Sequence, residues 1–198
     1  VKFLIPAIIL LGFLFSTPSA LAYEVPTHAY LTKEILDFYN LKNPETKIGD
    51  DLKDYLVEGA KKEDEAPRWL NHFYDPVNDK GLTSKYGNGY ASKDWANNPT
   101  EQNETKYKAF TAFASTLSAI QEGKIGNINT ETDFTWDKAI RFYDRGEKEK
   151  AMYILGHIIH LLEDSSVPDH TRNDAHPGIG EDYSPYERYT GQFILENP

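Results

Sequence analysis

The architecture is best inferred from one segment, Leu155-Gly156-His157-Ile158-Ile159-His160-Leu161-Leu162-Glu163-Asp164-Ser165-Ser166-Val167-Pro168-Asp169-His170. Its apolar residues recur at helical spacing as far as Asp164, and Pro168 predicts that the helix has ended, because the residue before a proline avoids helical geometry. On such a helix His160 and Asp164 are offset by about 40° and stand one turn apart on the same face. Pro168 turns the chain, so His170 can return toward that face. The segment therefore predicts a helix that presents an imidazole and a carboxylate to a common site.

The same segment favours a metal site. An imidazole and a carboxylate four residues apart on a helix can chelate one metal ion. Four of the six histidines lie between 157 and 176, beside Asp164 and Asp174. Burying these groups together is costly unless a cation compensates their charge. A single histidine on an apolar helix face is more often a core residue, and His157, about 60° from His160 around the helix, is either such a residue or a support for the site.

The composition excludes several classes of protein. The chain of 198 residues has 31 Asp and Glu residues against 21 Lys and Arg, and its net charge is −10. That charge argues against a basic nucleic-acid-binding surface and against adhesion to an anionic membrane through a polybasic patch. The absence of cysteine excludes disulfides, cysteine-ligated zinc, iron–sulfur clusters and thiol catalysis. Histidines and carboxylates remain as metal ligands.

Helical periodicity extends over most of the remaining chain. We expect helices from a Thr27 cap to about Asn40, from Asp51 to about Ala60, from Thr100 to about Gly123, from Thr135 to Tyr143, from Glu147 to Asp164 and from Pro185 to Leu195. Residues 65–99 are rich in glycine, proline and asparagine, and a loop of that length in a compact domain is usually functional or mobile. The predicted fold class is all-α, a compact multi-helix domain with a metal cleft and one long irregular loop.

Residues 1–22 are expected to be a cleaved export signal. A basic residue and an apolar run over residues 3–15 precede Ala20-Leu21-Ala22, which is typical of a signal-peptidase site. The run is short for a membrane-spanning helix, which needs about 20 apolar residues. The helical domain would then cover residues 23–198 and begin at Tyr23, and it either ends where this sequence ends or continues beyond it. The predicted location is periplasmic or extracellular.

One family shares this arrangement of residues. The pattern His160-x-x-x-Asp164-x-x-x-Pro168-x-His170 resembles the zinc-dependent phospholipase C and single-strand-specific zinc nuclease superfamily. Three further segments are similar to that family and follow in its order: Tyr23-Glu24-Val25-Pro26-Thr27-His28, Asn71-His72-Phe73-Tyr74-Asp75-Pro76 and Pro185-Tyr186-Glu187. The matches extend over nearly all of the expected domain. The resemblance implies a helical fold with three clustered zinc ions in a cleft.

For the first zinc ion the resemblance implies an acidic residue and three further side chains, His72, His160 and Asp164. The acidic residue should precede His72 in the sequence, and Asp64 is the preferred candidate. The family has a longer gap between this acid and the histidine, so Glu58 and Glu63 remain alternatives.

For the second zinc ion the resemblance implies a bridging Asp164, together with His28 and the amino group and carbonyl oxygen of Tyr23. Tyrosine is acceptable at that position because both ligands are backbone atoms. Cleavage after Ala22 would therefore itself create a metal site.

For the third zinc ion the resemblance implies His170 and Glu187. The family has a further histidine four residues before this glutamate, and that position is occupied here by Tyr183, a poor zinc ligand near neutral pH. His176 or Asp182 is a candidate to replace it. The third site is therefore intact, rearranged or empty.

The implied activity is hydrolysis of a phosphodiester. Clustered zinc ions lower the pKa of bound water toward about 7 and neutralise charge on a phosphoryl group. Asp64 is the candidate catalytic residue, because it can orient or deprotonate the attacking water. The His-Phe-Tyr-Asp-Pro segment favours the phospholipase C branch, whereas the short spacing from Tyr23 to His28 keeps the nuclease branch open. A non-catalytic exported metal-binding domain is a further alternative, supported by Tyr183.

The expected partner is a phospholipid or another phosphodiester, with transient contact at a membrane surface. Nucleic acid is expected only under the nuclease alternative, and the protein is expected to be a monomer. Several aromatic residues in or beside the long loop either line an apolar approach, stack unpaired bases or pack in the core: Trp69, Phe73, Tyr74, Tyr86, Tyr90 and Trp95.

Overall fold

A computed structural model describes residues 25–64, 68–83, 89–104, 133–174 and 184–197. These residues are mainly helical, and the β-type pairing found among them is an isolated bridge between Asp75 and Lys80. The all-α fold class is therefore confirmed. The expected export signal lies outside the described residues.

The helices largely follow the periodicity of the sequence. The α-helices are α1 (Val25–Lys42), α2 (Asp50–Glu63), α3 (Ser92–Trp95), α4 (Trp136–Asp144), α5 (Lys148–Asp164), α6 (Pro168–Thr171) and α7 (Pro185–Glu196). Two 3₁₀ helices span Pro44–Thr46 and Arg68–Asn71. Residues 99–104 are also helical, and the rest of the helix expected from Thr100 lies outside the described residues.

Helices α2 and α5 pack against each other along the centre of the molecule, with α1 and α4 against them. Gly59 and Gly156 face each other at the crossing, where a Cβ on Gly156 would lie 2.9 Å from the Cα of Gly59. The two backbones therefore approach more closely than any larger residue would permit. Beside the crossing, Leu36, Leu56 and Met152 form a buried apolar cluster.

The first helix differs from its prediction in one respect. Thr27 was expected to cap it, but α1 already includes Val25, and Thr27 lies buried within the helix. The expectation rested on the preference of threonine for N-caps. Here Thr27 belongs to a buried face that also carries His28 and Thr32, whereas Ile35 is 44% exposed. Helix α1 thus turns polar groups toward the interior.

The region expected to be one long irregular loop contains regular structure where it is described. The 3₁₀ helix Arg68–Asn71 and helix α3 interrupt it. Phe73, Leu82 and Trp95 within it are buried. Trp95 and the neighbouring Ala96 pack against Leu161 in α5, so this part of the region belongs to the core.

Among the described ranges, no helix combines the length and the apolar character that crossing a bilayer requires.

Candidate metal centre

The carboxyl-terminal ends of α2 and α5 meet a group of buried acidic and histidine side chains from several parts of the chain. These side chains are His28 in α1, Asp64 directly after α2, His72 directly after the second 3₁₀ helix, His160 and Asp164 in the last turn of α5, His170 in α6 and Glu187 in α7. The structure thus brings together most of the residues singled out in the sequence as metal ligands. Tyr23 and His176 lie outside the described residues.

Four donor atoms lie close together, one each from Asp64, His72, His160 and Asp164. His72 Nδ1 lies 2.8 Å from Asp164 Oδ2 and 3.7 Å from Asp64 Oδ1. His160 Nε2 lies 3.2 Å from Asp164 Oδ2, 3.5 Å from Asp64 Oδ1 and 3.3 Å from His72 Nδ1. Two ligands that are each about 2.0–2.1 Å from a tetrahedral ion lie roughly 3.3–3.4 Å apart. These five distances scatter around that value, so Asp64, His72 and His160 are close enough to hold one ion, and Asp164 lies within reach of the same two imidazoles.

A second group of donors shares Asp164 with the first. His28 Nε2 lies 3.5 Å from Asp164 Oδ1 and 4.0 Å from Asp64 Oδ2. His28, His160 and Asp164 offer three donor atoms close enough to hold one ion. If His160 Nε2 binds the first ion, its lone pair is used, and His28 and Asp164 are the donors that the described residues leave for a second ion. Because the two oxygens of Asp164 face different groups, this carboxylate is placed to bridge two ions.

The third expected site is represented by two side chains among the described residues. His170 Nε2 lies 3.3 Å from Glu187 Oε1, and His170 Nδ1 lies 3.7 Å from Asp164 Oδ2. Asp182 and Tyr183, on which the completeness of this site depends, lie outside the described residues. Two donors do not make a closed site, so the third ion stays a prediction.

The outer ring nitrogens of His160 and His28 face acceptors. His160 Nδ1 donates to the backbone oxygen of Ala60 at 2.7 Å. His28 Nδ1 lies 2.6 Å from Glu163 Oε2. A hydrogen on each outer nitrogen leaves a lone pair on the inner nitrogen, which is the form that a metal ion needs. The imidazoles are therefore oriented as ligands.

The carboxylates at the centre lack ordinary partners. All four oxygens of Asp64 and Asp164 are buried without a hydrogen bond of acceptable geometry among the described residues. Burial alone would raise the pKa of Asp164, but the nearby imidazoles of His160, His170 and His72 outweigh it and hold that pKa well below its usual range. Such a concentration of buried negative charge is favourable only beside cations.

Burial and the neighbouring charges also shift the pKa values of the histidines. Burial opposes protonation of His160 and of His72, but nearby carboxylates together outweigh it and raise both pKa values, for His160 well above its usual range. These carboxylates are Asp164 and Asp64 for His160, and Asp164 and Glu63 for His72. Burial lowers the pKa of His28 to about 3, with a further contribution from His160. Protons on His72 and His160 occupy the position that a metal ion would take, so metal binding would release them.

Glu63 lies beside the centre but is bound to other groups. It accepts hydrogen bonds from Arg68 Nε at 2.7 Å and from Trp95 Nε1 at 2.9 Å, and His157 Nδ1 lies 2.6 Å away. Burial would raise the pKa of Glu63, but Arg68 and His157 hold it well below its usual range. Glu58 lies on the surface of α2 beside Lys61. Of the three acids considered for the first zinc ion, Asp64 is the one that the structure places within the four-donor group.

Two of the aromatic residues singled out in the sequence are buried against residues of the centre or its surroundings. Phe73 is buried and stacks on His170 with ring centroids 4.4 Å apart. Trp95 is fully buried against Glu63. His157, left open between a core residue and a support for the site, stacks on Phe134 at 4.0 Å and contacts Glu63. His157 therefore supports Glu63 beside the centre and is not one of the donors. Tyr86 lies outside the described residues.

Sequence reasoning missed Glu163 and Thr32. Thr32 Oγ1 donates to Glu163 Oε1 at 2.9 Å, and the other carboxylate oxygen faces His28. One signal in the sequence could have pointed to Glu163: the dipeptide Glu-Asp occurs at the carboxyl-terminal end of α2 and again at that of α5. In each pair the aspartate faces the centre and the glutamate faces a histidine.

Comparison of the chain with protein-family models, curated proteins and solved structures found no match.

Proposed function

We propose that this chain is an exported zinc-dependent phosphodiester hydrolase of the phospholipase C type. The observation that carries the proposal is the four-donor group of Asp64, His72, His160 and Asp164, in which neighbouring donor atoms lie 2.8 to 3.7 Å apart. Imidazole nitrogen and carboxylate oxygen are donors that suit zinc. The orphaned buried carboxylate oxygens support the presence of cations at the same place.

Zinc ions bound there would polarise a phosphoryl oxygen and make an attacking water acidic enough to react near neutral pH. The chain would hold and orient the reacting groups. Asp64 Oδ1 faces His72 and His160, whereas Oδ2 points toward His28 and has no hydrogen-bond donor among the described residues. Asp64 Oδ2 is therefore the atom to which we assign the proton of the attacking water.

The proposed substrate is a phospholipid. The motif around His72 favours the phospholipase C branch, as argued from the sequence. Phe73 and Trp95 are packed in the interior, so neither is available to stack an unpaired base or to line an apolar approach for a lipid. Both substrates share the phosphodiester that the centre would recognise, so the choice of a lipid rests on the motif around His72.

Export belongs to the same proposal. Cleavage after Ala22 would place a new amino terminus at Tyr23, two residues before α1. His28 on that helix already reaches the centre. The new amino group would therefore begin only a few residues from a proposed ligand.

The test is the zinc content per chain, by elemental analysis of protein whose first residue has been identified by mass spectrometry. We expect at least two zinc ions per chain and release of diacylglycerol from phosphatidylcholine vesicles. Asp164→Asn should lose zinc from both groups and lose hydrolysis, whereas Asp144→Asn, an exposed change on α4, should retain both. Absence of zinc from the wild-type protein would overturn the proposal.

The substrate assays separate the alternatives. Cleavage of single-stranded DNA without cleavage of the lipid would identify the nuclease branch. Bound zinc without turnover of either substrate would identify a non-catalytic metal-binding domain.

A further inference from the structure

Glu163 is a buried carboxylate with two partners, both from α1. Its Oε2 lies 2.6 Å from His28 Nδ1, and its Oε1 accepts a hydrogen bond from Thr32 Oγ1 at 2.9 Å. No lysine or arginine among the described residues forms an ion pair with it. Glu163 is 6% exposed, and both partners are fully buried.

A buried carboxylate without a basic partner is costly to retain for packing alone. Its two contacts here converge on one imidazole and the helix that carries it. When Nδ1 of His28 donates to Glu163, the lone pair of the ring lies on Nε2. That nitrogen faces Asp164 Oδ1 at 3.5 Å.

We infer that Glu163 is the positioning residue of His28: it fixes the ring orientation and tautomer that direct Nε2 toward Asp164 in the second metal site. This inference rests on the proposed function and deepens it, because it assigns the strength of one metal site to a residue that touches no ion. Thr32 holds the other carboxylate oxygen and so sets the angle at which Glu163 meets the ring.

The geometry distinguishes Glu163 from its neighbour in the sequence. Asp164 points its two oxygens at the donor groups, and Glu163 points away from them toward the outer nitrogen of His28. A carboxylate on the outer nitrogen of a ligating histidine makes the ring a better ligand, and loss of such a partner typically weakens metal binding by about 10–100-fold. The effect should be confined to the site that contains His28.

The experiment titrates metal-free protein with Zn²⁺ against a chelating indicator, and in parallel with Co²⁺ followed by its visible absorption. Glu163→Gln keeps the shape of the side chain but replaces a carboxylate oxygen with an amide nitrogen, and Glu58→Gln on the surface of α2 is the matched control. We expect Glu163→Gln to bind one of the ions about 10–100-fold more weakly while the four-donor site keeps its affinity. Glu58→Gln should match the wild type at both sites. Long-range ¹H–¹⁵N NMR of the zinc-bound wild type should show the hydrogen of His28 on Nδ1.

Thr32→Val is a second, milder variant, expected to weaken the same site by less than Glu163→Gln does. A purely structural role would lower the thermal stability of the metal-free variants and leave the metal titrations of the folded protein unchanged. Equal zinc affinity of Glu163→Gln and the wild type at every site would overturn the inference and leave the proposed function standing. A wild-type protein that binds no zinc would instead overturn the proposed function, and this inference with it.

Discussion

Gly59 of α2 and Gly156 of α5 lie face to face, and a Cβ on Gly156 would come within 2.9 Å of the Cα of Gly59 and 2.7 Å of the backbone nitrogen of Ala60. Farther along the same helices stand Asp64 and Asp164. The distance between the helix axes therefore sets the separation of the two carboxylates. The close backbone contact that the two glycines permit thus positions the polar centre.

Gly156→Ala should destabilise the protein by about 1–3 kcal/mol, because an added methyl group in a filled contact forces the helices apart. The same separation should weaken zinc binding by the four-donor group. Urea denaturation and zinc titration measure the two effects. Gly49→Ala is the control, since its Cβ would meet only the side chain of the exposed Asp51. Equal stability of both variants would contradict the packing argument.

Arg68→Met should destabilise the protein by about 3–5 kcal/mol, because it leaves the buried Glu63 carboxylate without its cation. Arg68 and Glu63 are joined at 2.7 Å, and both are buried. The double variant Glu63→Gln/Arg68→Met should recover part of the loss. Lys61→Met, at a half-buried surface pair with Glu58, should change stability by less than about 1 kcal/mol. Chemical denaturation of the four proteins measures these differences, and a double variant no more stable than the single one would count against a buried-charge effect.

His157 should stay uncharged down to about pH 4, because burial lowers its pKa to about 4. The unfolded chain takes up this proton near the ordinary value of 6.5, so between these values it binds more protons than the folded protein. The contribution of His157 to stability is therefore complete above pH 6.5 and falls as the pH is lowered, by up to about 1.4 kcal/mol per pH unit.

Two measurements check this statement. NMR titration of the ring should show no protonation of His157 at pH 5. Urea denaturation of the metal-free protein at pH 7 and pH 5 should show a smaller loss for His157→Gln than for the wild type. A ring that titrates near pH 6.5 would refute the prediction.

Zinc should raise the stability of the folded protein by mass action, by about 2.7 kcal/mol when free zinc is a hundredfold above its Kd. A chelator should reverse the gain. Asp64→Asn removes one of the four donors, so its melting temperature should respond much less to zinc, while Asp144→Asn should respond as the wild type does. Differential scanning calorimetry with and without zinc measures these melting temperatures. An identical zinc response in Asp64→Asn would remove Asp64 from the site.

Local patterns in the sequence were sufficient to predict the longer helices and the grouping of donors that α5 and the turn after it contribute to the centre. Apolar periodicity located α5 and α7 to within a residue or two, because helical spacing is a local property. The four-residue separation of His160 and Asp164 placed both on one face of α5 for the same reason. The turn at Pro168 returned His170 toward that face, as expected.

Contacts between distant residues depended on the tertiary structure. The sequence favoured Asp64 as the acid of the first site but kept Glu58 and Glu63 as alternatives. In the structure Glu63 and Asp64 both lie 3.7 Å from His72, at different ring nitrogens, and Asp64 is the one that also faces His160. The contact between Glu163 and His28 joins residues far apart in the chain, so residue spacing within either helix cannot predict it. The sequence by itself determined the longer helices and the kinds of donor they carry. Only the tertiary structure decided which donors meet, because that depends on how closely two helices approach at Gly59 and Gly156.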